Sequence, residues 1–127
     1  MLTRDQQYSI EAYKKVMAIK EKPEADVKAY GSMSHKLPIL IRTAGLSQAL
    51  AFADARGKEA QRTLLEDLAQ TIGQKSKETF LHNARQAPLK EYMFLTRQSL
   101  DALLWYKRFA QSILHVDASD MTEDGGE

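Results

Sequence analysis

The segment Leu37–Ala53, LPILIRTAGLSQALAFA, is apolar on nearly every side, and Arg42 is its only charged residue. Its apolar residues recur at helical spacing on two faces. One face comprises Leu37, Leu40, Ile41, Ala44, Ala51, Phe52 and Ala55, and the other comprises Ile39, Leu46, Ala49, Leu50 and Ala53. Because a helix with two apolar faces is buried among other helices, we predict a central helix over about residues 37–55. Gly45 falls in its interior, where a glycine allows a neighbouring helix to approach closely.

The rest of the chain predicts an all-α, single-domain bundle of about five to six helices around this central helix. Thr3 and Gln6 have the spacing of a capping box at the start of the first helix, and Pro23 ends that helix. A short second helix is expected from about Pro23 to Gly31-Ser32.

The second half of the chain predicts three further helices. One covers about residues 58–72 and is followed by Gly73, a residue typical of the position after a helix. Ser76 starts a short helix that Pro88 terminates. The longest helix is expected over about Leu89–Val116. No run alternates between apolar and polar residues, so no β-sheet is predicted.

Composition excludes several classes of protein. A chain of 127 residues with no cysteine forms one domain without disulfides, thiolate metal sites or a cysteine nucleophile. The amino-terminal residues MLTRDQQ are too polar for a signal peptide. The apolar central segment is interrupted by Arg42, Gln48 and Pro38 and is too short to span a membrane. We therefore expect a cytoplasmic protein.

The formal net charge of +1 conceals an asymmetry between the body of the chain and its end. The last eleven residues contain five acids and no base, namely Asp117, Asp120, Glu123, Asp124 and Glu127. The remainder therefore has 18 basic and 12 acidic residues, a charge of +6. We predict a helical domain over residues 1–116 and a flexible acidic tail over residues 117–127. A basic body is compatible with nucleic-acid binding.

The sequence contains no pattern that indicates catalysis. His35, His82 and His115 are far apart and form no metal-binding pair, so we expect each at the surface or at a helix end. No glycine-rich phosphate-binding loop is present. The expectation is that the protein is not an enzyme and needs no cofactor or metal, although catalytic residues that only the fold brings together remain an alternative.

The carboxy-terminal helix combines basic and aromatic residues in TRQSLDALLWYKR, residues 96–108. Such mixtures bind phosphates and stack on bases. Trp105 and Phe109 are one helical turn apart, however, and the favoured interpretation is that both belong to the core.

Two stretches together resemble the small α-helical subunit of the Cmr-type (type III-B) CRISPR effector complex. The first is KLPILIRTAGLSQALAF, residues 36–52, with its Leu-Pro, Gly-Leu, Gln-Ala-Leu and Ala-Phe elements. The second is Tyr92 followed by WYKRFA, residues 105–110. The similarity spans roughly residues 3–110. The acidic tail has no counterpart in this pattern.

The resemblance implies a non-catalytic subunit that stacks beside the backbone subunits of a ribonucleoprotein, which pairs a guide RNA with foreign RNA and cuts it. Its implied partners are other Cmr-type subunits, the guide RNA and the target RNA, with no membrane. Weak self-association through an exposed apolar face is also compatible with the sequence. The basic body would face the guide–target duplex and bind its backbone.

The candidate RNA-binding residues are the bases in or beside the two matching stretches: Lys36, Arg42, Arg97, Lys107 and Arg108. A lone charge in an apolar helix must reach the surface or be paired, so an alternative for Arg42 is a salt bridge with Asp101 or Glu66. A helical protein–protein adaptor that binds no RNA stays open as the alternative function.

Overall fold

The computed structural model describes residues 1–56 and 58–120, and these residues form six α-helices and no β-strand. The helices are α1 (Arg4–Ile19), α2 (Glu24–Ala44), α3 (Leu46–Ala55), α4 (Glu59–Thr71), α5 (Lys77–Gln86) and α6 (Leu89–Ser112). The all-α class and the long carboxy-terminal helix are thus confirmed. Of the predicted acidic tail, Ala118–Asp120 form a short 3-10 turn that contacts α2, and residues 121–127 lie outside the described residues.

The predicted central helix over residues 37–55 is wrong, because the chain breaks at Gly45. This glycine has φ 90° and ψ 158°, a left-handed conformation that favours glycine over residues with a Cβ atom. It ends α2 and begins α3, and its carbonyl accepts a bond from the Ala49 N–H at 3.0 Å. The apolar segment therefore supplies parts of two helices that pack against each other.

The predicted short second helix is also wrong. Helix α2 continues through Gly31-Ser32 and through Pro38, so it is 21 residues long. Gly31 does not end the helix, and its role is to allow close packing against the segment that follows α6. A Cβ atom at this position would lie 2.6, 2.8 and 2.9 Å from the three side-chain carbons of Val116, so only glycine allows the chain after α6 to cross α2 this closely.

The last helix ends at Ser112 and not at Val116 as predicted. The following segment turns back onto α2: Leu114 and Val116 are buried, and the Val116 carbonyl oxygen lies 2.8 Å from His35 Nε2. The expectation that each histidine lies at the surface or a helix end is therefore wrong for His35, which is buried within α2.

Helix α6 organises the bundle. It runs parallel to α1, since Arg4 pairs with Asp101 and Tyr13 packs edge-on against Phe109. It runs antiparallel to α2, because Tyr92 meets the start of α3 while Val116 lies over Gly31. The largest fully buried side chains come from α2 to α6: Tyr30, Tyr106, Phe80, Met33, Leu37, Leu46, Leu50, Leu64, Leu65, Leu68, Leu103 and His35.

Several predicted helix ends are confirmed. Thr3 and Gln6 form the complete capping box at the start of α1, and the Ser76 hydroxyl accepts the Thr79 N–H at the start of α5. Gly73 has φ 88° after α4. These signals depend only on neighbouring residues, which explains why the sequence reveals them.

A polar network crosses the core between α2, α4 and α6. The Tyr30 hydroxyl donates to Asp67 Oδ2 at 2.6 Å, and the hydroxyls of Thr71 and Tyr106 are 2.7 Å apart. Burial raises the pKa of the Asp67 carboxyl above its usual value, and burial together with Asp67 raises the pKa of Tyr30 well above 10. These partners satisfy groups that would otherwise destabilise the core.

Candidate nucleic-acid interface

The structure places the five candidate bases on two helices. Lys36 is half-buried and Arg42 exposed on α2, whereas Arg97, Lys107 and Arg108 are exposed on α6. Since each helical residue advances by 100° and about 1.5 Å, Lys36 and Arg42 project from different sides of α2. Arg97 and Arg108 lie on the same side of α6, about 16 Å apart along its axis. The five residues therefore do not form one compact patch.

The alternative salt bridges for Arg42 are wrong. Asp101 pairs with Arg4 at 2.6 Å. The Glu66 carboxylate accepts bonds from the Gln70 side chain and the Lys77 backbone N–H, both at 2.9 Å. Arg42 itself projects into solvent from the last turn of α2. At this position a positive charge interacts favourably with the negative end of the helix dipole.

The aromatic residues of WYKRFA belong to the core rather than to an open stacking surface, as predicted for Trp105 and Phe109. Tyr106 is fully buried, and the other two rings are half-buried against the core. The Trp105 indole N–H donates to Asp5 at 3.0 Å, and its ring centroid lies 5.7 Å from that of Phe109. Lys107 and Arg108 are thus the solvent-facing part of this motif.

A basic–aromatic cluster that sequence reasoning missed lies where α2 packs against α3. Phe52 is 39% exposed, and Lys36 Nζ and Arg56 Cζ lie 5.4 and 5.2 Å from the centroid of its ring. We call Lys36, Phe52 and Arg56 the Phe52 cluster. The sequence pattern predicted a buried Phe52 because residues 37–55 were treated as one continuous helix. The break at Gly45 changes the direction in which this residue faces. The spacing of Phe52 and Arg56, one turn apart, was the available signal.

A second exposed phenylalanine also lies beside a cation. Phe94 on α6 is 55% exposed, and Arg4 Cζ lies 5.8 Å from its ring centroid. The Arg4 guanidinium is neutralised by Asp101 at 2.6 Å. The two sites share an exposed phenylalanine and a nearby cation.

The described residues do not bring three or more potential metal ligands together. A cleft of about 520 Å³ lies between α5 and the start of α6. Its polar lining consists of the amides of Gln74, Asn83, Gln86 and Gln98 and the carboxyl of Glu91. His82 and His115 are exposed and do not line this cleft. In the part of the chain that is described, no helix is long and apolar enough to cross a membrane.

Comparison with known proteins identifies the family. The sequence model of the CRISPR-associated protein family Cas_Cmr5 matches residues 4–113. The chain belongs to the Cmr5 family. It is 46% identical over 115 residues to the CRISPR system Cmr subunit Cmr5 of Thermus thermophilus, and the match covers 90% of this chain and 98% of that protein.

A solved structure agrees with this assignment. The crystal structure of a CRISPR-associated Cmr5 family protein from Thermus thermophilus superposes with a TM-score of 0.84 and 46% identity, over 89% of this chain and 98% of that chain. The resemblance inferred from residues 36–52 and 105–110 is therefore confirmed. The Cmr5 family match ends at residue 113, before the acidic residues 117–127.

Proposed function

We propose that this Cmr5 family chain is the non-catalytic small subunit of a type III-B CRISPR ribonucleoprotein that cleaves foreign RNA in antiviral defence. In that particle it stacks along the guide–target duplex and contacts the RNA backbone and neighbouring subunits. The observation that carries the proposal is 46% identity, over nearly the full length of both chains, to a Cmr subunit.

Charge supports contact with the RNA backbone. The chain without its last eleven residues has a formal charge of +6, and Arg42, Arg97, Lys107 and Arg108 are exposed on α2 and α6. Exposed bases neutralise phosphates without reading sequence. Because these bases are spread over the bundle, they suit an extended duplex better than a small ligand.

Exposed apolar side chains support contact with neighbouring subunits. Leu89, Met93 and Leu104 recur at helical spacing on α6 and are 74%, 62% and 47% exposed. Contiguous exposed apolar surface on a small domain is typical of protein–protein interfaces.

Affinity purification of the tagged chain from its own host tests the proposal. We expect several CRISPR-associated subunits by mass spectrometry and a discrete guide-sized RNA on a gel. Recovery of one unrelated protein without RNA would overturn the proposal and favour a helical adaptor. Exchanging the chain for the α6 variant Met93→Asp should reduce recovery of the other subunits, whereas the exposed-site control Glu21→Gln should not.

A further inference from the structure

We propose that the cleft between α5 and the start of α6 binds an extended peptide segment of about three residues from a protein partner of different sequence. This segment combines an apolar side chain with a lysine or an arginine. We call the site the amide cleft, after the carboxamides that line it: Gln74, Asn83, Gln86 and Gln98. The inference rests on the proposed function, because the partner is taken to be a neighbouring subunit of the particle.

The path of the chain explains why a cleft of about 520 Å³ lies at this place. Pro88 has no N–H group with which to continue α5, and Ala87 before it is extended, with ψ 136°. The two helices then pack on different neighbours, since α5 packs on α3 and α4 whereas α6 packs mainly on α1 and α2. The opening between them has the volume of a typical ligand site.

The four carboxamides supply both donors and acceptors of hydrogen bonds. Asn83 Nδ2 donates to Gln74 Oε1 at 2.7 Å, which orients this pair and leaves the Asn83 side-chain oxygen and the Gln74 NH2 group for a ligand. The main chain of an extended peptide offers one N–H donor and one C=O acceptor per residue. The amide cleft therefore matches a peptide main chain in its hydrogen-bonding groups.

The lining residues of α6 set the length of the ligand. They run from Glu91 to Gln98, which covers about 10 Å along the helix axis. An extended chain advances about 3.3 Å per residue, so about three residues fit beside α6. Phe94, which is 55% exposed, and Leu95 supply an apolar wall for one side chain of the ligand.

The charge of the lining favours a peptide over RNA. Among the described residues, Glu91 is the only charged one that lines the amide cleft. A carboxylate attracts a lysine or arginine side chain and repels a phosphate. Arg4 lies beside the Phe94 ring but does not line the cleft. The same is true of the bases adjacent to lining residues in the sequence: Lys75, Arg85, Lys90 and Arg97.

Helix geometry separates the amide cleft from the two bases of α6 nearest to it. At 100° per residue, Glu91 and Gln98 project about 60° and 40° to one side of Phe94. Lys90 and Arg97 project about 40° and 60° to the other side, where Arg97 lines a separate groove. Phe94 thus lies on the boundary between an acidic, amide-rich side of α6 and a basic side.

The charge of Glu91 also argues against a second copy of this chain as the occupant. The last eleven residues of a second copy contain five acids and no base. Glu91 would repel such a segment. We therefore assign the occupant to a neighbouring subunit of different sequence.

Photo-crosslinking in the assembled, RNA-loaded particle tests the site. Because the chain has no cysteine, Gln86→Cys at the exposed rim of the amide cleft can be labelled alone with a benzophenone maleimide before the particle is reconstituted. The label then lies on the tryptic peptide of residues 86–90. We expect this peptide to be joined to one lysine- or arginine-containing segment of a neighbouring subunit. The exposed-site control Glu21→Cys should not yield that adduct.

Three results of the crosslinking experiment would overturn the inference. They are an adduct on RNA, an adduct on a second copy of this chain, and no adduct at all. Circular dichroism of each labelled variant checks that the subunit is folded.

A synthetic peptide of the crosslinked segment gives a quantitative test with the full chain. Glu91→Lys should weaken its binding about tenfold, because the reversal replaces an ion pair by a repulsion. Glu24→Lys is the matched control, since it also reverses an exposed acid in the first turn of a helix, and it should leave the affinity unchanged. Asn83→Leu should weaken binding about 2- to 13-fold through loss of a hydrogen bond, whereas Gln7→Leu on α1 should not.

RNA binding by the two charge variants distinguishes the alternative ligand. Glu91→Lys and Glu24→Lys both raise the formal net charge from +1 to +3, so their long-range effect on RNA binding is matched. A peptide site predicts equal RNA affinities for the two variants. Tighter RNA binding by Glu91→Lys than by Glu24→Lys would show that phosphate reaches the amide cleft, and would overturn the inference.

Failure of this inference is distinguishable from failure of the proposed function. If the particle contains RNA and the other subunits but Gln86→Cys gives no protein adduct, the peptide site is wrong and the subunit role stands. If the tagged chain recovers no CRISPR-associated subunit, both proposals fail.

Discussion

The Tyr92 hydroxyl of α6 accepts a hydrogen bond from the Ser47 backbone N–H at 3.0 Å and thereby caps the start of α3. The first N–H groups of a helix lack partners within it. Gly45, which precedes α3, has no side chain to supply one. The same hydroxyl lies 3.4 Å from the position of a Cβ atom at Gly45. One tyrosine thus stabilises the α2–α3 break that positions Phe52.

Replacement of Tyr92 by Phe removes this cap and leaves the ring in place. Loss of an amino-terminal cap typically costs about 0.5–2 kcal/mol, so Tyr92→Phe should lower the free energy of unfolding in urea by about 1 kcal/mol. Tyr13→Phe on the exposed side of α1 is the control and should be neutral. Equal stability of Tyr92→Phe and the wild type would show that solvent caps α3 instead.

Gly31 and Val116 should show strong energetic coupling. A methyl group at Gly31 overlaps the Val116 side chain at 2.6–2.9 Å, and overpacking of this kind costs about 1–3 kcal/mol. Gly31→Ala should therefore destabilise the fold, although alanine favours a helix interior over glycine by about 1 kcal/mol. Thermal unfolding measures the effect.

A double-mutant cycle distinguishes this packing from a general loss of stability. Val116→Gly removes all three overlapping carbons, so Gly31→Ala should cost less in the Val116→Gly background than in the wild type. An identical cost in both backgrounds would contradict the crossing of α2 by the segment after α6.

The raised pKa of Asp67 gives stability a defined pH dependence. Burial favours the protonated carboxyl in the folded state, so the folded chain retains a proton that the unfolded chain loses above the usual pKa of 3.8. Stability therefore falls as pH rises through the window between the unfolded and folded pKa values, and the penalty is absent below that window.

Asp67→Asn removes this titration while its side-chain oxygen still accepts the Tyr30 hydroxyl. Relative to the wild type, the variant should gain free energy of unfolding as pH rises from about 4 to about 7, measured by urea denaturation at each pH. The exposed-site variant Glu21→Gln should show no comparable gain. A difference between Asp67→Asn and wild type that is constant over this range would contradict the assigned burial effect.

Local signals in the sequence predicted the fold class and most helix ends, but not the path of the central segment. The apolar periodicity indicates that residues 37–55 are helical and buried. The same periodicity is compatible with one continuous helix and with two helices joined at Gly45. The choice depends on Tyr92, whose hydroxyl binds the Ser47 N–H 45 residues away. Likewise, the sequence makes Gly31 look like the end of a helix, because the residue that requires a glycine there, Val116, is close in the fold but far away along the chain.

The same limit explains what was missed at the candidate site. The five candidate bases lie close to the family-like stretches in sequence, and the structure spreads them over α2 and α6. The Phe52 cluster depends on the angle between α2 and α3, which only the fold supplies. Contacts between side chains three or four residues apart in one helix can be predicted from the sequence. Contacts between side chains on two different helices depend on how those helices pack.

Loss of exposed bases should weaken RNA binding of the assembled particle without unfolding the subunit. Arg42→Ala, Arg97→Ala and the double variant Lys107→Ala with Arg108→Ala each remove exposed charge, and every lost phosphate contact on a duplex should reduce the log–log salt slope by about 0.9. Lys20→Ala at the end of α1 is the control, and circular dichroism checks folding. If all these variants bind like the wild type, the RNA-binding residues lie elsewhere.

The acidic end of the chain should oppose RNA binding through long-range repulsion. Glu123→Gln, Asp124→Asn and Glu127→Gln together remove three of the 17 acidic residues and raise the formal net charge from +1 to +4. Because long-range electrostatic repulsion is screened over about 10 Å at 0.1 M salt, the triple variant should bind RNA more tightly at low salt, with affinities that converge above about 0.5 M. The charge-preserving control Glu123→Asp should match the wild type at every salt concentration. Filter binding across a salt series measures this, and a gain in affinity that persisted at high salt would point to a direct contact of these residues rather than to net charge.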